Sequence, residues 1–177
     1  MSRASITVVH LAVSGPILRH MSKSTPATAA LDEAGVAYTV IPYEYDSSAD
    51  QVGNHAAQAI GEPPERVFKT LMVEVDGRGA CVVVPVARSI SMKKVAAAFG
   101  GKSAQMMKPP TAERATGFKV GGISPFGQKK QAPTAIAQEA QDEPYMVING
   151  GKRGLLVRLS PEDAMQASGA FPADLLS

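Results

Sequence analysis

Tryptophan is absent from this 177-residue chain, and aromatic residues make up only 5% of it, too few for a platform on which single-stranded nucleic acid would stack. A single cysteine, Cys81, excludes an internal disulfide framework and fits a reducing compartment, so the chain is expected to be cytoplasmic. Three histidines (His10, His20, His55) and that cysteine form no metal-ligand spacing, and no metal or other cofactor is expected. No run of about 18 apolar residues occurs, so nothing in the sequence reads as membrane-spanning and no membrane partner is expected. G-x-S-x-G is missing, which argues against a serine hydrolase elbow. "NGGKRG" lacks the first glycine and the Ser/Thr of a phosphate-binding P-loop, which removes kinase and nucleotide triphosphatase readings.

What is present suits one globular domain. Apolar residues are 45% and charged residues 19% of the chain, enough for a full core at this length. Residues 1–20 differ in character from the rest. Their apolar run "ITVVHLAV" lacks a clean small-x-small cleavage site, and Met21 is a natural start for a compact domain, so 1–20 reads as a loosely attached extension and 21–177 as the domain. Thr25 and Pro26 open a helix that Gly35 stops. A strand over 36–45, a helix ending near Gly61, and two strands around the turn "DGRG" follow. Ser91 caps the next helix, Thr111 a short one, and Ser160-Pro161 the last, after strands "YMVIN" and "GLLVRL". Hairpins mixed with longer crossings indicate an α+β fold, a mixed sheet flanked by helices, rather than a doubly wound parallel one.

Charge is segregated although the net value is only +2. Residues 32–76 hold nine acidic side chains against Arg66 and Lys69, whereas 88–130 hold nine Lys/Arg and one acid, Glu113. Such a basic stretch fits either a solvated face or a surface that receives an anion, for instance a phosphate backbone. Within "RVFKTLMVEV", strand alternation puts Lys69 in the apolar row with Val67, Leu71, Val73 and Val75. An ammonium there is costly unless something pairs with it; the alternative is a lysine snorkelling from an edge strand. In "VGGISPFGQKK", Gly121 and Gly122 can aim successive N–H groups at an oxyanion, with Pro125 fixing the exit and Lys129 and Lys130 beyond. "NGGKRG" offers a second glycine pair beside Lys152 and Arg153, equally consistent with a hairpin turn. Cys81, inside an apolar strand, reads as packing, and His55 as an exposed helical side chain. Backbone donors and cations without a general base suit a labile ester whose nucleophile or base comes with substrate or water.

"RVFKTLMV", "VVPVARSISMKKVAAAFGGKSAQMM", "ERATGFKVGGISPFGQKKQAPT" and "INGGKRGLLVRLSPED" together resemble the YbaK-type Cys-tRNA(Pro) deacylases, within the prolyl-tRNA synthetase editing-like domains, from about Met21 to Leu175. The resemblance implies a curved sheet of the editing-domain kind and trans-editing, hydrolysis of the ester joining a wrong amino acid to the terminal adenosine of tRNA. It implies a metal-independent reaction on aminoacylated tRNA, with prolyl-tRNA synthetase as a partner. By motif, Lys69 is the residue that polarises the ester, with Gly121 and Gly122 holding the oxyanion. Tyr43, Thr70, Ile123, Ser124, Pro125, Asn149, Gly150 and Gly151 are carried over as substrate-binding. Lys93, Lys94, Lys129, Lys130, Lys152 and Arg153 are expected to meet tRNA phosphates. Members often have Ser at Asn149, a polar or acidic residue at Leu156 and an aromatic one near Val52; these departures leave the amino acid open. A deacylase for Ala or another small amino acid, or a non-catalytic module binding the tRNA end, remains an alternative.

Overall fold

Side chains set the helix starts in this computed structural model, which describes residues 24–49 and 52–177; the expected extension over 1–20 lies outside them. Thr25 Oγ1 accepts from Thr28 N–H (3.0 Å) and Thr28 Oγ1 from Thr25 N–H (2.9 Å), a reciprocal box ahead of α1 (Pro26–Ala34). Gly35, at φ 69°, ends it. Ser91 caps α3 (Met92–Ala98), following α2 (Val52–Ile60), and Ser160 caps α5 (Pro161–Ser168). Thr111 is not the cap of α4. That helix spans Pro109–Thr116 with Lys108 at its cap position, because two prolines preset the backbone for the first helical turn.

The chain first pairs as β1 (Thr39–Pro42), shorter than the expected 36–45 because four residues find a partner strand. β2 (Phe68–Val75) and β3 (Arg78–Pro85) form the expected hairpin, and Asp76 at its tip accepts the N–H groups of Lys102 and Ser103 at 3.0 Å each. β4 (Ala104–Met106), β5 (Thr134–Ala137), β6 (Met146–Lys152), β7 (Leu155–Leu159) and β8 (Phe171–Ala173) complete the strands.

The architecture is α+β, with the strands divided between two sheets. One has the antiparallel order β1-β7-β6; the other has the order β4-β2-β3-β5-β8, mixed because β5 runs parallel to β3 and β8. A single parallel bridge, Val67 to Val147, joins them. Beyond it, no strand among the described residues pairs with the outer edge of β2 until β4 takes Val73–Val75. Phe68, Met72, Cys81, Val83 and Phe126 pack on one face of the larger sheet; Val73, Val75, Val82 and Val84 pack with α3 on the other. Val67, Val86, Val147, Leu156 and α2 form a third cluster where the sheets meet.

Candidate functional site: a cavity on the open edge of β2

A cavity lies along the gap in strand pairing. About 360 Å³ in volume, it opens along Lys69, Thr70 and Leu71. It draws on both rows of β2, Phe68, Thr70 and Met72 as well as Val67, Lys69 and Leu71. Both rows contribute because the cavity lies against an edge of the sheet and not a face. Val52, Gly53 and Ala56 of α2 close one side with Val86 and Leu156; Met107, Pro109 and Ala112 close another. Tyr43, Tyr45, Gly121, Ile123 and Asn149 complete the wall.

Lys69 is half-buried in this wall, and its ammonium makes no hydrogen bond or ion pair among the described residues. Burial holds its ammonium below the usual pKa of 10.5. Thr70 Oγ1 is also buried without a hydrogen-bond partner among the described residues. Burial raises the Tyr43 phenol above its ordinary value. A cation and a hydroxyl without partners among the described residues give this wall the capacity to bind a polar ligand. Among the described residues no carboxylate, imidazole or thiol lines the cavity, and no cluster of three His, Cys, Asp or Glu could hold a metal. Cys81 lies elsewhere, wholly buried, its thiol pushed up to about 12 and so un-ionised. His55 is half-exposed on α2 and is not part of the wall.

The glycine loops resolve unequally. Gly121 lines the cavity with φ 89°, but the expected pair of successive donors is not formed, because Gly122 N–H is spent on Lys119 O at 2.8 Å. Ser124 and Pro125 are buried behind the wall, where Ser124 Oγ accepts from Phe126 N–H at 3.2 Å. Gly150 and Gly151 also lie off it. They sit where β6 and β7 lose register, and Gly150 O accepts from Thr25 Oγ1 at 2.5 Å. A Cβ on Gly151, at φ 96°, would stand 2.9 Å from that of Ala27, so this pair seats the hairpin on α1. Asn149 reaches the wall with its amide already used: Nδ2 donates to Gly121 O (3.1 Å) and Oδ1 accepts from Gly151 N–H (2.7 Å).

The cations divide likewise. Lys129, Lys130 and Lys152 are exposed. Lys94 Nζ is bound to Asp174 (3.1 Å) and Leu176 O (2.7 Å), and with Lys93 it belongs to α3, which contributes nothing to the cavity wall. Arg153 donates from Nε to Val120 O (2.9 Å) and lies over the Tyr45 ring at 5.3 Å. Tyr45 escapes the sequence reading, although its alternation with Tyr43 in "YEY" was the available signal.

A profile of the aminoacyl-tRNA editing domain matches residues 47–167, more than half of the chain and all of the β2 edge and glycine loop. The chain belongs to the aminoacyl-tRNA editing domain family. It is 38% identical over 122 residues, 68% of this chain and 74% of the other, to an Enterococcus faecalis protein named as a candidate Cys-tRNA(Pro)/Cys-tRNA(Cys) deacylase, EbsC. A solved structure described as a candidate trans-editing enzyme for prolyl-tRNA synthetase superposes with TM-score 0.76 at 23% identity, covering 86% of this chain and 95% of that one. A hypothetical protein of known structure gives 0.76 at 20% identity, covering 86% and 99%. At these identities the structural likeness shows the fold alone, and it is the α+β fold the sequence indicates. No helix among the described residues is long and apolar enough to cross a membrane.

Proposed function

We propose that this editing domain hydrolyses, in trans, the ester joining a wrong amino acid to the 3′-terminal adenosine of tRNA, with Cys-tRNA(Pro) as its substrate. The observation that carries this is the Lys69 ammonium, without a partner among the described residues, sharing one apolar cavity with Gly121 and with no carboxylate, imidazole or thiol among those residues. Lys69 polarises the ester carbonyl, and the free N–H of Gly121 stabilises the oxyanion as water adds to the carbonyl carbon. The bond to the ribose oxygen then breaks, that oxygen takes a proton, and free amino acid and tRNA leave. Because no base lines the wall among the described residues, the proton is moved by the substrate's own groups or by water.

The amino-acid end fits the apolar surface of Val52, Ala56 and Leu156, which favours a small uncharged side chain. Of the positions where this chain departs from the family resemblance, Val52 and Leu156 shape that surface, while Asn149 is engaged by the loop. Cysteine and alanine differ there by only about 1–3 kcal/mol, so the named relative, and not the cavity, favours cysteine. Faster release of cysteine from Cys-tRNA(Pro) than of proline from Pro-tRNA(Pro) is the expected result; equal rates would rule out editing. A prolyl-tRNA synthetase partner, which selects the tRNA, belongs to the same proposal.

Thr70 separates binding from folding. Thr70→Val removes a buried, unpaired hydroxyl and is expected to stabilise the fold by about 1 kcal/mol while raising KM for the aminoacyl ester. Thermal unfolding and deacylation kinetics read the two effects; a destabilised variant would mean that the hydroxyl is satisfied in the free protein.

The tRNA body is held through phosphates by Lys129, Lys130 and Lys152. Replacing all three by Ala is expected to make the plot of log affinity against log salt shallower, by about 0.7–0.9 for each phosphate no longer neutralised. Lys94→Ala, whose cation is committed to Asp174, is expected to leave that slope unchanged. A slope indifferent to the triple change would remove these lysines from the interface.

A further inference from the structure

Side chains from α4 and from the β6–β7 hairpin hold the turn that presents Gly121. Gly122 N–H donates to Lys119 O, and of the two central residues only Gly121 has a positive φ, which makes the turn type II. Types I and II differ by a half-rotation of the central peptide, here Val120–Gly121. The flanking peptides are engaged: Val120 N–H donates to Glu113 Oε1 at 3.1 Å, and Gly121 O accepts from Asn149 Nδ2 at 3.1 Å. On the central peptide, Val120 O accepts from Arg153 Nε at 2.9 Å. C=O and N–H point opposite ways across a trans peptide, so a hold on the oxygen also orients the Gly121 N–H. That N–H has no partner among the described residues, and Gly121 lines the cavity.

We propose that Arg153 is a positioning residue: its Nε–H latches the Val120–Gly121 peptide in the type II orientation and so aims the Gly121 N–H at the ester oxygen. This rests on the deacylase reading of the cavity. It gives Arg153 a different task from the phosphate contact its sequence context implies, and an exposed place on the surface is compatible with both. The Tyr45 ring beneath the guanidinium, which also abuts Gly121, supports the latch from the cavity side.

Three substitutions separate latch from charge. Glutamine carries an amide nitrogen the same number of bonds from Cα as arginine Nε, so Arg153→Gln keeps the donor and drops the charge. Arg153→Lys keeps the charge and loses a donor at that position, and Arg153→Met loses both. The substrate is the cysteinyl ester of adenosine, which has no phosphate to contact. Arg153→Lys and Arg153→Met are expected to lower kcat by about 10- to 100-fold with KM little changed, less than the roughly 10²–10³-fold cost of removing an oxyanion donor outright, because the Gly121 N–H is misaimed and not deleted. Arg153→Gln is expected to stay within a few-fold of wild type. In the free proteins, the strong Val120 Hα to Gly121 H–N Overhauser contact of a type II turn is expected in wild type and Arg153→Gln, and to weaken in the other two. An active lysine variant with an inactive glutamine variant would overturn the latch, as would an unchanged Overhauser pattern in the methionine variant. A flipped peptide with unaltered hydrolysis would overturn the role given to Gly121 and the proposal with it. If the peptide responds as expected but wild type hydrolyses no ester, the deacylase reading fails and the latch stands.

Discussion

Replacing Lys69 by methionine is expected to cut kcat for ester hydrolysis by about 10²–10³-fold, the cost of removing a preorganised positive group from a developing oxyanion. The same change is expected to make the protein more stable. Lys69 is half-buried with no partner among the described residues, so the folded state carries a desolvated ammonium that methionine, of similar length, does not. The pH dependence follows from the direction of the shift. The folded pKa lies below the usual 10.5, so between the two values the unfolded chain binds more protons than the folded one. Stability therefore rises with pH across that alkaline window, and the burial cost is fully present below it. The methionine variant is expected to lose this rise. Activity should run the other way in wild type, falling as pH climbs through the folded pKa, because the charged form does the polarising. Denaturant melts and pH–rate profiles of both proteins check all of this. A variant that is less stable and equally active would make Lys69 a packing residue.

Gly121→Ala is expected to lower kcat by about 100-fold with only a modest loss of stability. A left-handed backbone costs a residue with a Cβ about 1–2 kcal/mol, and that Cβ would run into the Tyr45 hydroxyl, the free end of a side chain. Flipping the turn to type I relieves both conflicts and turns the Gly121 N–H away from the cavity. Gly122→Ala should behave differently. Its Cβ would stand 2.8 Å from Arg153 N and 2.9 Å from Lys152 Cα, backbone that cannot move without shifting the β6–β7 hairpin. Stability is expected to fall by about 1–3 kcal/mol, with activity reduced in proportion to folded protein. If both variants lose stability and activity together, Gly121 is structural too.

These two glycines also mark how far the sequence could be read. "VGGIS" and "INGGKR" look alike as strings, each a glycine pair near cations. Only the fold distinguishes them: a bulge between Asn149 and Lys152 seats the second pair against α1, while a type II turn gives the first its free N–H. Lys69 was legible because strand alternation is local, and so were the helix starts at Thr25, Ser91 and Ser160, where cap and proline signals sit within a few residues. β4 and β8, three residues each, are too short to show alternation and form through pairing with distant strands. The fate of Lys94 was equally hidden, since Asp174 lies 80 positions away. Glu113 matters only because of the shape of the loop that it grips, and no helix or strand pattern in the chain encodes that shape.

The most direct measurement is single-turnover release of cysteine from Cys-tRNA(Pro) by excess wild-type protein, with tRNA binding followed in the same samples. Bound tRNA is expected to lose its cysteine far faster than the free ester hydrolyses in buffer. Tight, salt-sensitive binding with the ester left intact would contradict the deacylase mechanism and make the cavity a receptor for the tRNA end.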